Sequence, residues 1–436
     1  MNRSVVVLVT VFLLVSAPRM TPPASAQGVT SEEYDKYGGW NGVKGKKTGF
    51  FHTQQINGRW WLVTPEGNVF ISKGVAGIYF GEEEPDPLTP STAPPGWTRD
   101  TARQLRGWGF NTIGAWSDRE MFTAEMAYTF ILDAAESARR QPFANADVPG
   151  YFPVPGYFPD YFSEDFREST DSRAAKLCAP RANDPWLIGY FTDNEQSWGS
   201  IKISWDSWNG IPPSILRQSL LENYLKFPPT SPGYQKAVEY LKSRGTVKGA
   251  ITEDDMDGFE ELAAAEYARV CRDAIRRYDP NHLILGCRYP QYAPDPVVRG
   301  MCPFFDVISM NDYHPRPPAW KLEHLAQLSG KPFMLTEFSF KAMDSGLPNT
   351  KGASDPVATQ QDRADNFSRY VQELVAMPSC VGFHWFEYRD EPAEGRKGDG
   401  ENSNYGLVKK DGTPWEVLTS RMREVNSSLE RLAIRK

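Results

Sequence analysis

Histidine and cysteine are scarce, at five each in 436 residues, and neither is grouped. His52, His282, His314, His324 and His384 form no HxH or HExxH pattern, which argues against a zinc site. Cys178, Cys271, Cys287, Cys302 and Cys380 show no CxxC spacing. Their odd number leaves at least one free thiol unless chains pair; a bridge from Cys271 or Cys287 to Cys302 stays open. Cys287 and Cys380 lie in apolar runs and read as buried and inert. Basic residues are not in excess either: 48 stand against 55 acidic ones, a net charge of -7. That balance excludes a nucleic-acid backbone or an anionic membrane as the main partner. A glycine-rich phosphate loop is missing after the first strand-like run, and no internal repeat or long low-complexity segment is visible. Aromatics are plentiful instead, at 13% with 13 Trp, which suits a ligand that stacks on flat rings.

The one long apolar run is at the start. Arg3 precedes Val5–Val15, which is apolar except for Thr10 and too short to span a bilayer, and Ala24-Ser25-Ala26 resembles a cleavage site. Residues 1–26 therefore read as a signal peptide, and the remaining chain as secreted or periplasmic. No cysteine follows the run to carry a lipid anchor. Loss of the leader removes Arg3 and Arg19 and makes the chain two charges more acidic. A polar segment, 27–49, leads to a catalytic domain, 50–436. Within it, 50–64 reads as a strand, Pro65-Glu66-Gly67-Asn68 as a turn and Val69-Phe70-Ile71 as a second strand, a short N-terminal β-hairpin.

Eight apolar runs follow, at 69–79, 111–117, 129–133, 187–193, 282–288, 306–312, 333–338 and 381–387. They are rich in Val, Ile, Phe and Tyr without strict alternation, as parallel strands buried on both faces are. Amphipathic stretches at 99–107, 259–278 and 358–377 predict helices between them. The expected fold is an α/β (β/α)8 TIM barrel, with a doubly wound open sheet as the alternative. Two long connections, 134–185 and 196–258, follow strands at the expected carboxyl face. The first carries the aromatic run 151–159, which reads as a loop on the rim or a cleft wall. Asp254-Asp255-Met256-Asp257-Gly258 lacks the alternating ligands of a calcium loop and reads as a solvated acidic loop; 390–404 reads as a mobile loop beside the site.

Function in such a barrel sits at the carboxyl ends of its strands. The fourth run ends in Thr192-Asp193-Asn194-Glu195 and the seventh in Thr336-Glu337-Phe338, so each apolar strand delivers a carboxyl group to the rim. Two glutamates across a barrel mouth can approach the spacing of about 5 Å used by retaining glycosidases. One must stay protonated to serve the leaving oxygen while the other attacks as a carboxylate, and burial with mutual repulsion separates their pKa values. The other strand ends supply Trp116 and Asp118, Arg288, and Asn311, Tyr313 and His314; Lys73 is a further candidate on the first run. Glu387, after the eighth run, reads as a hydroxyl binder or as a partner for Arg288 or Arg389.

These segments resemble clan A glycoside hydrolases, and more narrowly the family 50 β-agarases, with family 42 β-galactosidases more distant. The resemblance rests on Asp193-Asn194-Glu195 and Thr336-Glu337-Phe338, on residues 58–68, on Gly107-Trp108-Gly109-Phe110-Asn111-Thr112, and on residues 278–286. It covers most of 50–425. It implies Glu195 as acid/base, Glu337 as nucleophile, Asn194 on the sugar 2-hydroxyl, Tyr313 hydrogen-bonded to the nucleophile and Trp385 as the floor of subsite -1. It implies no cofactor and a poly- or oligosaccharide substrate, an agarose-type galactan first. Members of the agarase family often carry an N-terminal β-sandwich, for which this chain has little room before the hairpin. A β-galactosidase or another β-glycanase (mannan or glucan), a non-catalytic carbohydrate-binding barrel and a metal-dependent isomerase are the rival readings.

Overall fold

A computed structural model of the chain describes residues 33–434 apart from 83–84, 86–88, 138–158, 197, 199–218, 247–249, 291–292 and 398. The leader 1–26, residues 151–158 of the aromatic run and much of both long connections lie outside the described residues. Among the described residues, the strands are β1 (Trp40–Lys44), β2 (His52–Ile56), β3 (Arg59–Val63), β4 (Asn68–Phe70), β5 (Ser72–Ala76), β6 (Thr112–Ile113), β7 (Ala127–Ile131), β8 (Leu187–Phe191), β9 (Leu283–Ile284), β10 (Tyr289–Pro290), β11 (Ile308–Asn311), β12 (Phe333–Phe338) and β13 (Cys380–Phe386).

The first four form an antiparallel sheet in the order β1-β4-β3-β2. This is larger than the expected hairpin. Asn57 and Gly58, at φ of 54° and 77°, make the tight turn between β2 and β3, so 50–64 holds two strands rather than one. Asn-Gly accepts two successive left-handed residues more cheaply than other pairs do. β1 lies inside the segment taken as a polar lead-in. Its half-exposed pattern and its Gly42 mask the strand signal.

The other nine strands form one curled, all-parallel sheet in the order β10-β11-β12-β13-β5-β6-β7-β8-β9. Its two edges are β9, inside the fifth run, and β10, directly after that run, and the Ile284 carbonyl accepts the backbone N–H of Asp306 at 2.9 Å. The fold is a TIM-like α/β architecture. Helices Trp97–Gly107, Glu164–Leu177, Glu253–Tyr278, Asp295–Met301, Ala319–Ser329, Gln360–Ala376 and Glu416–Asn426 intervene or follow. The long connections are therefore partly helical. The Asp254–Gly258 stretch is the first turn of a helix, not a loop: Thr252 and Asp255 form a capping box, and three acids sit at the positive end of the helix dipole.

Side chains of both sheets meet in one interior cluster, in which Leu62 and Phe70 join Ile188, Val307, Met334 and Val381. Arg59 bonds the carbonyls of Met377 and Cys380, at the amino end of β13, at 3.0 and 2.9 Å. The antiparallel sheet thus covers the amino end of the curl and leaves the carboxyl end for chemistry. All five cysteines are free, so none of the open pairings is formed; Cys287 and Cys380 are buried, as expected.

Lys73 does not reach the carboxyl end. Its ammonium is buried against Glu430 at 2.7 Å and against the Asn426 carbonyl at 3.1 Å, tying β5 to the C-terminal helices. Removing one partner of a buried pair leaves the other charge unsolvated, at a cost of about 3 kcal/mol. Glu430→Ala is expected to lower unfolding free energy in urea by that order, whereas Asp365→Ala, which breaks the more exposed pair with Arg421, is expected to change it by less than about 1 kcal/mol.

Candidate active site

The strands end in residues whose backbone is unusual. Trp116, Asp133, Glu195 and Arg288, which follow β6, β7, β8 and β9, all adopt left-handed φ between 47° and 56°. Non-glycine residues hold that conformation at a cost and only where surrounding contacts enforce it, commonly at functional sites. The Glu195 N–H donates to the Arg288 carbonyl at 3.1 Å, so two of these turns support each other.

Glu337 and Arg288 are both buried, and the Arg288 Nη2 meets the Glu337 Oε1 at 2.7 Å. Tyr313 donates its hydroxyl to the other oxygen, Oε2, at 2.7 Å. The Arg288 guanidinium lies over the Trp116 ring, 4.1 Å from its centroid. The remaining face of the ion pair is thus covered by an aromatic plane that attracts the cation. Burial raises the Glu337 pKa, against the lowering effect of Arg288 and the Tyr313 hydrogen bond.

Glu195 accepts a hydrogen bond from the Asn311 Nδ2 at 2.9 Å. Burial, and after it the charge of Glu337, pushes its pKa up to about 8. Two carboxyls within electrostatic reach, Glu337 buried and Glu195 half-buried, therefore have unequal company. Arg288 and Tyr313 bond Glu337, and the Asn311 amide bonds Glu195. The geometry favours a carboxylate at Glu337 and a carboxylic acid at Glu195 near neutral pH. Asp193, beside it, is structural: it is buried, accepts from Tyr267 at 2.6 Å and from the Ala135 N–H at 3.0 Å, and is pushed up to about 8 by burial.

The structure gathers Asn194, Glu195, Arg288, Asn311, Tyr313, Glu337 and Trp116 around this pair. It places Trp385, Asp118 and His314 differently. Trp385 is wholly buried, with Phe338, Phe340 and Phe367 around it, and is core rather than a site floor. The neighbouring residue on β13, Phe386, points the other way, toward Trp116 and Tyr405, and supplies the aromatic surface beside Tyr313. Asp118 is buried and accepts from the Phe80 N–H at 2.9 Å and Ser91 at 2.7 Å, pinning the loop after β5. His314 is exposed on the rim, with its Nδ1 on Asp312 at 2.9 Å. Asn311 is fully buried behind Asn194 and Glu195, so it touches the carboxyl and not a ligand.

Glu387 pairs with neither Arg288 nor Arg389 but faces Arg396, at 3.8 Å. The same guanidinium meets Glu391 at 3.4 Å, Asp399 at 2.5 Å and Glu401 at 3.1 Å. Arg396 thus links Glu387, Glu391, Asp399 and Glu401 within and beside the stretch 390–404. Burial raises Glu387 to about 8 and Glu391 to about 10. Arg396 and Glu401 also act on the central glutamates, and sequence reasoning missed them; the signal available was one arginine amid closely spaced acids. Among the described residues no group of three or more His, Cys, Asp or Glu is arranged to hold a metal ion, and no helix is long and apolar enough to cross a membrane.

A parallel α/β curl with paired glutamates at the ends of β8 and β12 is an arrangement that serves glycoside hydrolysis, and the comparisons find the chain similar to proteins named agarases. β-Agarase B of Vibrio sp. (strain JT0107) is 28% identical over 490 residues, covering 92% of this chain and 50% of that protein. β-Agarase A of the same strain is 29% identical over 367 residues, covering 76% and 36%. The chain thus spans half or less of the length of these curated relatives. A solved agarase structure matches with a TM-score of 0.77 at 25% identity, over 92% of this chain and 67% of that one. An exo-β-agarase structure matches at 0.75 and 24% identity, over 93% and 68%, a likeness of fold. No protein-family model matches the chain.

A raised carboxyl pKa has a consequence for stability. The folded protein holds the Glu195 proton up to about 8, while the unfolded chain releases it near 4.5. Between those values the unfolded state binds fewer protons, so the group costs stability progressively as pH rises. Glu195→Gln is expected to be more stable than the native chain, with the gap opening from pH 4.5 to 8, reaching about 1 kcal/mol or more, and staying flat above. Thermal melts across that range check it; a gap that closes with rising pH contradicts the assignment.

Proposed function

We propose that this chain is a retaining β-glycoside hydrolase of the family 50, clan A kind, acting on an agarose-type galactan or its oligosaccharides. The observation that carries the mechanism is the unequal setting of the two glutamates: the Arg288 guanidinium and the Tyr313 hydroxyl bond Glu337, while the Asn311 amide bonds Glu195. The substrate assignment is supported by relatives named β-agarases. The same proposal includes a curl closed into a (β/α)8 barrel through the fifth strand, and export directed by residues 1–26.

In the first step the Glu337 carboxylate attacks the anomeric carbon while Glu195 gives its proton to the departing glycosidic oxygen. The C–O bond to the leaving sugar breaks and an ester to Glu337 forms. Tyr313 and Arg288 hold the nucleophile's oxygens and stabilise its charge before attack. In the second step Glu195, now a carboxylate, takes a proton from water, whose oxygen displaces Glu337 with net retention. Asn194 is placed beside the acid to bind the sugar 2-hydroxyl.

The test is hydrolysis of agarose, neoagaro-oligosaccharides, porphyran, β-galactosides, mannan and laminarin, with product anomers followed by proton NMR at early times. Agar fragments released with retained configuration are expected. Glu195→Gln should lower kcat/KM about 10²–10⁴-fold and Glu337→Gln about 10³-fold or more. Cleavage of a different glycan with the same losses keeps the mechanism and discards the galactan. Inverted product, or full turnover by Glu337→Gln, contradicts the mechanism. Sugar binding without turnover favours a carbohydrate-binding barrel.

A further inference from the structure

Asn311 sits at the end of β11, fully buried, between the two strand ends that carry the glutamates. Its Nδ2 donates to the Glu195 Oε1 at 2.9 Å and to the Asn194 Oδ1 at 3.0 Å. Its Oδ1 accepts from the Thr336 hydroxyl, one residue before Glu337, at 2.9 Å. The backbone repeats the link: Asn311 lies in register with Glu337, and the Asp312 N–H donates to the Glu337 carbonyl at 2.9 Å. One amide group therefore touches both residues of the Asn194-Glu195 pair and is itself aimed by the strand of the nucleophile.

We propose that Asn311 is the positioning residue for proton transfer, which rests on the reading of Glu195 as the acid. A carboxylic acid accepts through its carbonyl-like oxygen and donates through its hydroxyl. An amide N–H fixed on Oε1 makes that oxygen the acceptor and assigns the proton to Oε2. The same amide turns Asn194: with its Oδ1 held by Asn311, its Nδ2 and the two hydrogens on it lie at the other end of the amide group, as donors for a hydroxyl. Asn311 thus sets which oxygen gives the proton and which end of Asn194 meets the sugar, without contact to substrate. It also stabilises the ionised form of Glu195, because a donor to a carboxylate favours the charge. In the second step that stabilisation supports the base that takes the proton from water.

The test compares Asn311→Ala and Thr336→Val with the native chain on two probes: neoagarotetraose, whose departing hydroxyl needs a proton, and a dinitrophenyl β-glycoside, whose leaving group needs none in the first step. For Asn311→Ala, kcat/KM on neoagarotetraose should fall about 10- to 100-fold while that on the aryl glycoside changes less than about threefold. The alkaline limb of the pH profile should move to higher pH, since loss of the donor raises the Glu195 pKa. Thr336→Val, which keeps the side-chain volume and removes only the hydroxyl that aims the amide, should shift both readouts in the same direction by a smaller amount. It serves as the readout where Asn311→Ala does not fold. Equal losses on both probes with an unmoved alkaline limb reduce Asn311 to a structural residue and overturn the proposal. Glu195→Gln is the reference: if it shows no dependence on the leaving group, the acid is elsewhere, and the reading of Glu195 fails independently of the Asn311 result.

Discussion

Two carboxyl groups held within reach of each other's field cannot both ionise cheaply, and the carboxyl end of this sheet is organised around that constraint. A solitary buried carboxylate loses its hydration, and a second negative charge nearby adds to the cost. The chain meets the first charge with a buried guanidinium and a phenol hydroxyl on Glu337. To the second, Glu195, it gives a neutral amide donor. Arg288 in turn needs a left-handed backbone and an aromatic plane to occupy its place, which accounts for Trp116 beneath it. The neighbouring left-handed turn at Glu195 leans on the Arg288 carbonyl. Strain at the strand ends and the charge pattern are therefore one feature.

The rest of the molecule supplies the stability that such an end consumes. The amino end of the curl is filled by apolar side chains from both sheets, and Arg59 and Lys73 fasten the small sheet and the C-terminal helices to it with buried hydrogen bonds. The polar residues at the carboxyl end are buried too, but there the carboxyl groups are held at raised pKa, a setting that serves proton transfer better than it serves folding.

Much of this was legible in the chain. Apolar runs ending in Asn-Glu and Thr-Glu located both glutamates, because an apolar strand ending in a carboxyl is costly without a use. Tyr313 followed from the resemblance and does bond Glu337. What stayed hidden follows from how parallel strands are buried. β13 has apolar residues on both faces, so the sequence contains no alternation to say which of Trp385 and Phe386 points inward. The resemblance implied Trp385, and it proved to be core. Asn311 and Asp118 were recognised as polar strand-end residues, but a residue number does not say whether an amide or carboxyl faces a ligand or another side chain. The Asn57-Gly58 turn was readable and was overlooked because the long apolar run 60–63 dominated the segment. The Thr252–Asp255 cap was masked by three adjacent acids, which look like a solvated loop until the helix behind them is seen.

The account stands on the protonation states of the two glutamates at neutral pH, and these are directly measurable. Carbon-13 NMR of the chain labelled at the glutamate side-chain carboxyl, with Glu195→Gln and Glu337→Gln used to assign the two resonances, reads each state across a pH titration. The expected result at pH 7 is a protonated Glu195, titrating near 8, beside an ionised Glu337. A proton resting on Glu337, or both groups ionised at pH 7, would contradict the division of labour on which the proposed chemistry depends.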